Sequence, residues 1–430
     1  MRENVLETAL GVCMAALLLS VGVFLTWRLR GVQLRRLVPA FRGIGKGERS
    51  GISAFSAACT NLGATVGMGN VLGVASGIAA GGPGCLLWML VAAFFGMAVR
   101  WYENVLGARL RRQTPQGGYG GAFFYIERFL PRFGKAAAKL YAAVLVFGSV
   151  CGMGLMLQAR CIRTVWAAET GETAFGVLRI AILLLLATAP VLLGGAKRIA
   201  KIAEKLVPLM TLGYLLCCCW ILFRFRAELP RVVSEIFRSA FYVRSASGAA
   251  LGGFLRSTVL GGVRRGLFSN EAGLGVGSIA AAAAEHTDPA QLGDVGIVVT
   301  FVDTFVICVL SGLCILVTNC AEDLPGMWRT GLPWMADAAP ILLSAFLTTF
   351  ALTSIYGAGF SAESALRYLG GAKYLSAYRL VSVFAVLLGV FLPQRIFWRS
   401  ADALNAALAI PNLAALYFAA KHGEGVAPGI

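Results

Sequence analysis

Charge and histidine are scarce in this chain. Only 14% of its 430 residues are Asp, Glu, Lys or Arg, where soluble domains carry about 25%, and this excludes a string of soluble domains or a simple soluble enzyme. The two histidines, His286 and His422, leave no histidine triad and no histidine metal cluster. No HExxH, GxSxG or Walker sequence occurs; GIGKGE at 43–48 lacks both the spacing and the Ser/Thr. The 11 cysteines include no CxxC pair, and Cys217, Cys218 and Cys219 stand in a row inside an apolar run. They read as buried free thiols, and zinc, redox and disulfide frameworks are set aside.

What the chain has is apolar residue in bulk. At 58% hydrophobic it holds about 249 such residues, and eleven membrane spans of about 20–22 residues need about 220–240. Apolar runs lie near 5–27, 52–80, 85–108, 137–158, 176–195, 206–223, 248–282, 294–318, 335–360, 375–393 and 402–420. They predict an all-α polytopic membrane protein of about eleven helices. The first run has neither a basic leader nor a small-residue cleavage site, so it is expected to be a retained span.

The net charge of +17 is carried between the runs, which argues against a nucleic-acid partner and for basic loops at a membrane. Arg28, Arg30, Arg35, Arg36, Arg42, Lys46 and Arg49 follow the first run. Six more basic residues occupy 109–135, and Lys197, Arg198, Lys201 and Lys205 follow the fifth run. If every run crosses once, these three loops share one side, which is then cytoplasmic; the N-terminus is outside and the C-terminus inside. Residues 224–247, with five Arg, dissent from that assignment.

Two runs are interrupted by glycine. Residues 61–84 read NLGATVGMGNVLGVASGIAAGGPG, and residues 252–278 read GGFLRSTVLGGVRRGLFSNEAGLGVGS. They begin about 200 residues apart and each is followed by four further runs. Glycine-broken segments in matching positions of two halves point to a transporter with an inverted repeat; close helix packing through small residues is the simpler alternative. The polar SNE in the second segment favours broken helices, because free backbone groups at membrane depth need a cavity or partners. Gly67 and Gly69 let backbone approach a solute. Asn70 and Gln158 are amides deep in apolar runs, able to bind a solute or to bridge helices. A channel and a membrane-embedded enzyme are the alternative classes, but no carboxylate ring, filter sequence or catalytic constellation supports either.

GMGNVLGVASGIAAGGPGCLLWMLVAAFFGMAVRWYE (67–103), GGAKRIAKIAEKLVPLM (194–210), RRGLFSNEAGLG (264–275) and NAALAIPNLAAL (405–416) resemble the hallmark segments of the alanine or glycine:cation symporter family. RGLFSNEAG at 265–273 is the most specific, and weaker similarity runs over nearly the whole chain. The resemblance implies a multi-pass transporter of the prokaryotic cytoplasmic membrane, without cofactor, that imports a small neutral amino acid with sodium by alternating access. It also implies the leucine-transporter-type architecture: a 5+5 inverted repeat (50–225 and 248–420) with broken first and sixth core helices, preceded by an extra helix and basic loop at 1–49. Carried over, the solute site comprises Thr65, Gly67, Met68, Gly69, Asn70, Gln158, Phe268, Ser269, Asn270 and Ala358. Glu271 lies in the same broken segment, and FVDTFVIC places Asp303 inside a span, either as a functional carboxylate or in a fixed hydrogen bond. Sodium is expected between Gly63 and Val66 carbonyls and the Thr353 and Ser354 hydroxyls. Alternatively, those hydroxyls bond back along their own helix.

The chain departs from the family pattern at Met68, where threonine is usual; at Leu155 and Arg160, which replace two amides; and at Ala358, where tryptophan is common. These changes remove a hydroxyl and enlarge the expected pocket, so a larger or more apolar solute than glycine is expected.

Overall fold

The computed structural model describes residues 5–44, 53–114, 117–152, 154–241, 255–284 and 287–425. Lys46, Arg49, GIGKGE from Gly45 on, Arg244, the start of the second glycine-rich run and His286 lie outside the described residues. In chain order the helices are α1 (Val5–Arg28), α2 (Val32–Gly43), α3 (Ala54–Thr65), α4 (Leu72–Gly81), α5 (Cys85–Arg109), α6 (Ala122–Phe129), α7 (Gly134–Cys151), α8 (Leu155–Thr170) and α9 (Ala174–Arg224). They continue with α10 (Leu229–Phe241), α11 (Gly261–Asn270), α12 (Gly277–Ala283), α13 (Pro289–Thr300), α14 (Val309–Thr318), α15 (Leu324–Gly331), α16 (Ala339–Tyr368), α17 (Leu375–Phe391) and α18 (Gln394–Lys421). Among the described residues eight helices are long and apolar enough to cross a membrane, and nine if the bent α3–α4 pair counts as one span.

Several expected loops are structured. The basic segment after α1 contains α2, an amphipathic helix whose Leu34, Val38 and Phe41 face outward while Val32, Gln33 and Ala40 are buried. Arg36 on α2 grips Asp294 on α13 with both ends of its guanidinium, at 2.6 and 2.8 Å, and the Trp101 indole N–H donates to the same carboxylate at 3.1 Å. The second basic segment folds as a hairpin, β1 (Arg112–Thr114) against β2 (Gly117–Tyr119), followed by α6. The third, 197–205, is helix: α9 turns at Gly195 (φ 69, ψ −168) and resumes at once. Arg379 on α17 fills the space a side chain at 195 would need, donates to the Leu193 carbonyl at 3.4 Å and is itself held by Glu363 at 2.7 and 2.9 Å. Lys197, Arg198, Lys201 and Lys205 all lie on this resumed helix. A charged stretch beside a span reads as a loop in sequence because charge alone does not distinguish a loop from the wet end of a helix.

The arrangement is layered by burial. α5 packs against α1, α11, α12 and α13, and most of its length is buried. α16 packs against α3, α7, α8 and α9. α9 forms much of the outer surface, with Leu178, Ile182, Leu183, Leu186, Leu209, Leu212 and Leu216 outward, a face suited to hydrocarbon and costly in water. The two interrupted helices, α3–α4 and α11–α12, sit inside this shell. Gly63 and Gly357 allow close packing at α3: a Cβ at 357 would lie 2.3 Å from Ala64 Cβ, and one at 63 would lie 2.9 Å from Val207 Cγ2.

Candidate functional site

The first break follows from local backbone. α3 ends at Thr65, Val66 (φ −73, ψ 92) and Gly67 (φ −122, ψ −165) are extended, and a single turn at Met68–Asn70 leads into α4 at a bend of 65°. The Val66 N–H still closes on the Leu62 carbonyl, at 2.7 Å. The Gly63 carbonyl, in the last turn, loses its i+4 donor because the Gly67 N–H turns to Asn70, and the Val66 carbonyl follows just past the helix end. The second break runs from Glu271, held in the left-handed region at φ 52, through the turn before α12.

Three side chains tie the breaks together. Asn70 accepts from the Gly67 N–H at 3.1 Å, and its amide donates to Asp303 Oδ1 at 2.6 Å and to Ser269 Oγ at 3.0 Å. The Ser269 and Thr304 hydroxyls donate to the other Asp303 oxygen at 2.8 and 2.9 Å. Asn270 donates to Thr304 at 3.3 Å and accepts from the Ala272 N–H at 3.0 Å. Asp303, fully buried, therefore sits between the two broken helices and takes three donors. Such a carboxylate is stable in a dry interior only because its oxygens are occupied.

Beside this knot lies a cavity of about 60 Å³. Thr65, Gly67, Gly69, Asn70, Gln158, Phe268, Ser269, Ser354 and Ala358 line it, together with Glu271 and Asn405. Of the ten carried-over solute residues, Met68 and Asn270 do not line it. The Met68 side chain is 3% exposed and packs into the apolar core, so its replacement of threonine places no side chain in the cavity. The Gln158 Oε1 is buried without a partner among the described residues, and its Nε2 lies near Gly67. Ser149, Ser361, Asn405 and Glu271 are lining residues that sequence reasoning does not assign to the site. No local signal marks Ser149, which lies in an ordinary apolar run, whereas Asn405 opens the NAALAIPNLAAL segment.

The two candidate sodium hydroxyls behave differently. The Ser354 hydroxyl faces α3 and lies 3.4 Å from both the Gly63 and the Val66 carbonyl oxygens. The Thr353 hydroxyl donates to the Phe350 carbonyl at 2.9 Å, with Thr349 O at 3.2 Å, both on its own helix. Three of the four expected ligands thus converge and the fourth is turned back into α16.

Sequence reasoning also passes over a buried charged pair on α5. Arg100 and Glu103 are both 0% exposed. Arg100 donates to Asn61 Oδ1 at 2.9 Å, while Glu103 accepts from the Gly275 N–H at 3.0 Å and Asn412 Nδ2 at 2.7 Å. Asn61 in turn reaches the Gly277 carbonyl at 3.4 Å, so α5 holds α3 and α12 through one guanidinium. Charged residues three apart inside an apolar run are the available signal.

The chain has relatives along nearly its full length. It is 35% identical over 423 residues to the sodium/alanine symporter AgcS of Methanococcus maripaludis, covering 94% of this chain and 91% of that one. It is 34% identical over 416 residues to an uncharacterized transporter of Haemophilus influenzae, covering 94% and 90%. A probable sodium/glutamine symporter, GlnT of Bacillus subtilis, is 30% identical over 440 residues, covering 97% and 89%. The family profile described as the sodium:alanine symporter family matches residues 2–425. Broken helices around a small cavity, long helices with outward apolar faces and this near-complete match agree: the chain is a multi-pass membrane transporter, not an enzyme, and it belongs to the sodium:alanine symporter family.

Proposed function

We propose that this chain imports a small neutral amino acid together with sodium, by alternating access across a prokaryotic cytoplasmic membrane. The observation that carries the sodium half is the triangle of Gly63 O, Val66 O and Ser354 Oγ. At 3.4 Å the two Ser354 distances are long for O–H···O hydrogen bonds, which cluster near 2.7–2.8 Å. An edge of 3.4 Å suits an octahedron whose centre lies about 2.4 Å from each corner, inside the roughly 2.3–2.6 Å range of calcium, a hard cation of similar radius. Neutral carbonyl and hydroxyl oxygens match a monovalent ion. The amide of Gly69, a lining residue in the turn, has no backbone partner among the described residues, which suits a solute carboxylate.

The pocket's size bears on the solute. Ala358 lines the cavity without filling it, and relatives are named for alanine and for glutamine. A solute larger than glycine is expected to bind best. Equilibrium binding of glycine, alanine, glutamine and larger neutral amino acids, each with and without sodium, tests the reading. Sodium-independent binding, or none by any amino acid, overturns it; glycine in first place overturns the pocket-size part alone.

Eleven spans accompany this reading. The eight long helices and the bent α3–α4 pair, with α9 counted as two at Gly195 and α11–α12 as one more broken span, make eleven. An odd count with basic segments on one side puts the N-terminus outside and the C-terminus in the cytoplasm. In a cysteine-depleted background, cysteines at the exposed Arg35 and Arg132 positions are expected to resist an impermeant thiol reagent in intact cells and to react after permeabilisation. Reaction in intact cells reverses the orientation.

A further inference from the structure

We infer that Glu271 anchors the ammonium group of the transported amino acid, an inference that rests on the symport reading above. Glu271 lines the cavity, and it does so from the break itself: its backbone is left-handed at φ 52, with its N–H closing α11 on the Leu267 carbonyl at 3.0 Å. A non-glycine residue in this conformation is uncommon and marks a place where tertiary structure overrides local preference.

The neighbouring polar side chains are committed elsewhere. Ser269 is bonded to Asp303 and Asn70, and Asn270 to Thr304 and to its own turn. Among the cavity-lining residues, Gln158 Oε1 and Glu271 Oε2 are buried with no partner among the described residues, and only the second belongs to a group that can carry the negative charge an ammonium pairs with. Arg100, the guanidinium whose charge reaches it, is bonded to Asn61 and is shared with Glu103 and Asp303. A buried carboxyl oxygen left without a donor is costly at this depth. An arriving ammonium would meet a carboxylate with free acceptor capacity and form charge-assisted bonds.

The placement also sets the solute's direction. The Gly69 amide lies at the first break and Glu271 at the second, so a zwitterion spans the cavity with its carboxylate toward α4 and its ammonium toward α11. Side-chain selectivity then falls to the apolar wall of Leu145, Phe268 and Ala358.

The test compares each amino acid with the 2-hydroxy acid of the same side chain, L-alanine with L-lactate and L-valine with 2-hydroxyisovalerate, on purified protein in nanodiscs at saturating sodium. The hydroxy acid keeps the carboxylate and side chain but lacks the cation. Glu271→Gln is expected to weaken amino-acid binding at least about tenfold while leaving the weak hydroxy-acid competition unchanged, so discrimination between the pair collapses. Sodium alone should still raise the variant's melting temperature as it does the wild type's. Unchanged amino-acid affinity, or equal losses for both members of a pair, overturns the inference. If Glu271→Gln is not monodisperse, Glu271→Asp carries the test: a retracted carboxylate should weaken only the amino acid, and equal affinity overturns the assignment. Failure of the underlying reading looks different, since the wild type itself would then bind no amino acid in sodium.

Discussion

Ser354→Ala is expected to raise the sodium concentration needed for half-maximal uptake by about tenfold or more, while Thr353→Ala changes it little. The two residues are adjacent in sequence and both carry hydroxyls, but only Ser354 Oγ faces the Gly63 and Val66 carbonyls. Thr353 commits its hydroxyl to the Phe350 and Thr349 carbonyls and has Met210 Sδ at 3.8 Å. Removing one oxygen ligand of an ion costs about as much as removing a hydrogen bond to a charged group, roughly 1.5–3 kcal/mol. Each 1.4 kcal/mol is a factor of ten. Folding should be nearly untouched, because at 3.4 Å the Ser354 hydroxyl makes only weak hydrogen bonds to the two carbonyls. Linkage supplies an internal check: if sodium strengthens amino-acid binding by some factor, the amino acid strengthens sodium binding by the same one, and the variant must diminish both together. Sodium titrations of binding and uptake on both variants decide it. Equal effects of the two substitutions, or wild-type sodium dependence in Ser354→Ala, would remove this site.

The larger effect on stability is expected at Asp303. Asp303→Ala strands three donors, from Asn70, Ser269 and Thr304, inside a dry knot. Hydrogen bonds within membrane proteins average only about 0.6 kcal/mol each, which sets a floor near 2 kcal/mol. Donors left buried without partners cost about 1–3 kcal/mol apiece, which moves the expectation toward roughly 5 kcal/mol. Uptake should vanish even where the protein still folds, since Asn70 orders the first break through the Gly67 N–H and Ser269 belongs to the second. Asp303→Asn retains the shape and acceptors for the two hydroxyls but turns a donor toward the Asn70 amide, so an intermediate loss is expected. Thermal unfolding in detergent measures the series. An alanine variant as stable as wild type and active in uptake would mean that the knot does not order the site.

Much of this is legible in the chain itself. Hydropathy marks the spans because hydrocarbon tolerates no unpaired backbone, so a crossing segment must be a long apolar helix. Glycine marks the breaks because a helix that ends at membrane depth needs backbone free of side chains, and NLGATVGMGN does break at Val66 and Gly67. Basic residues are less informative: 197–205 has the composition of a loop and is helix, and the segment after α1 contains a helix clamped by Arg36 to Asp294. A favourable ion pair 258 residues away in sequence leaves no local trace.

By itself, then, the sequence determined that the chain lives in a membrane, that two helices are interrupted and which stretches interrupt them. These are properties of short segments, governed by transfer energy and backbone freedom. Tertiary structure alone decided which polar groups meet. Successive residues on a helix point about 100° apart, so Thr353 and Ser354 could not be told apart until α16 was placed against α3. Met68 lies between two cavity-side glycines in sequence and yet faces the core, because the single turn at 68–70 swings it away. Asp303 became the link between the breaks only through long-range packing, and the same packing leaves Glu271 Oε2 buried with no partner among the described residues.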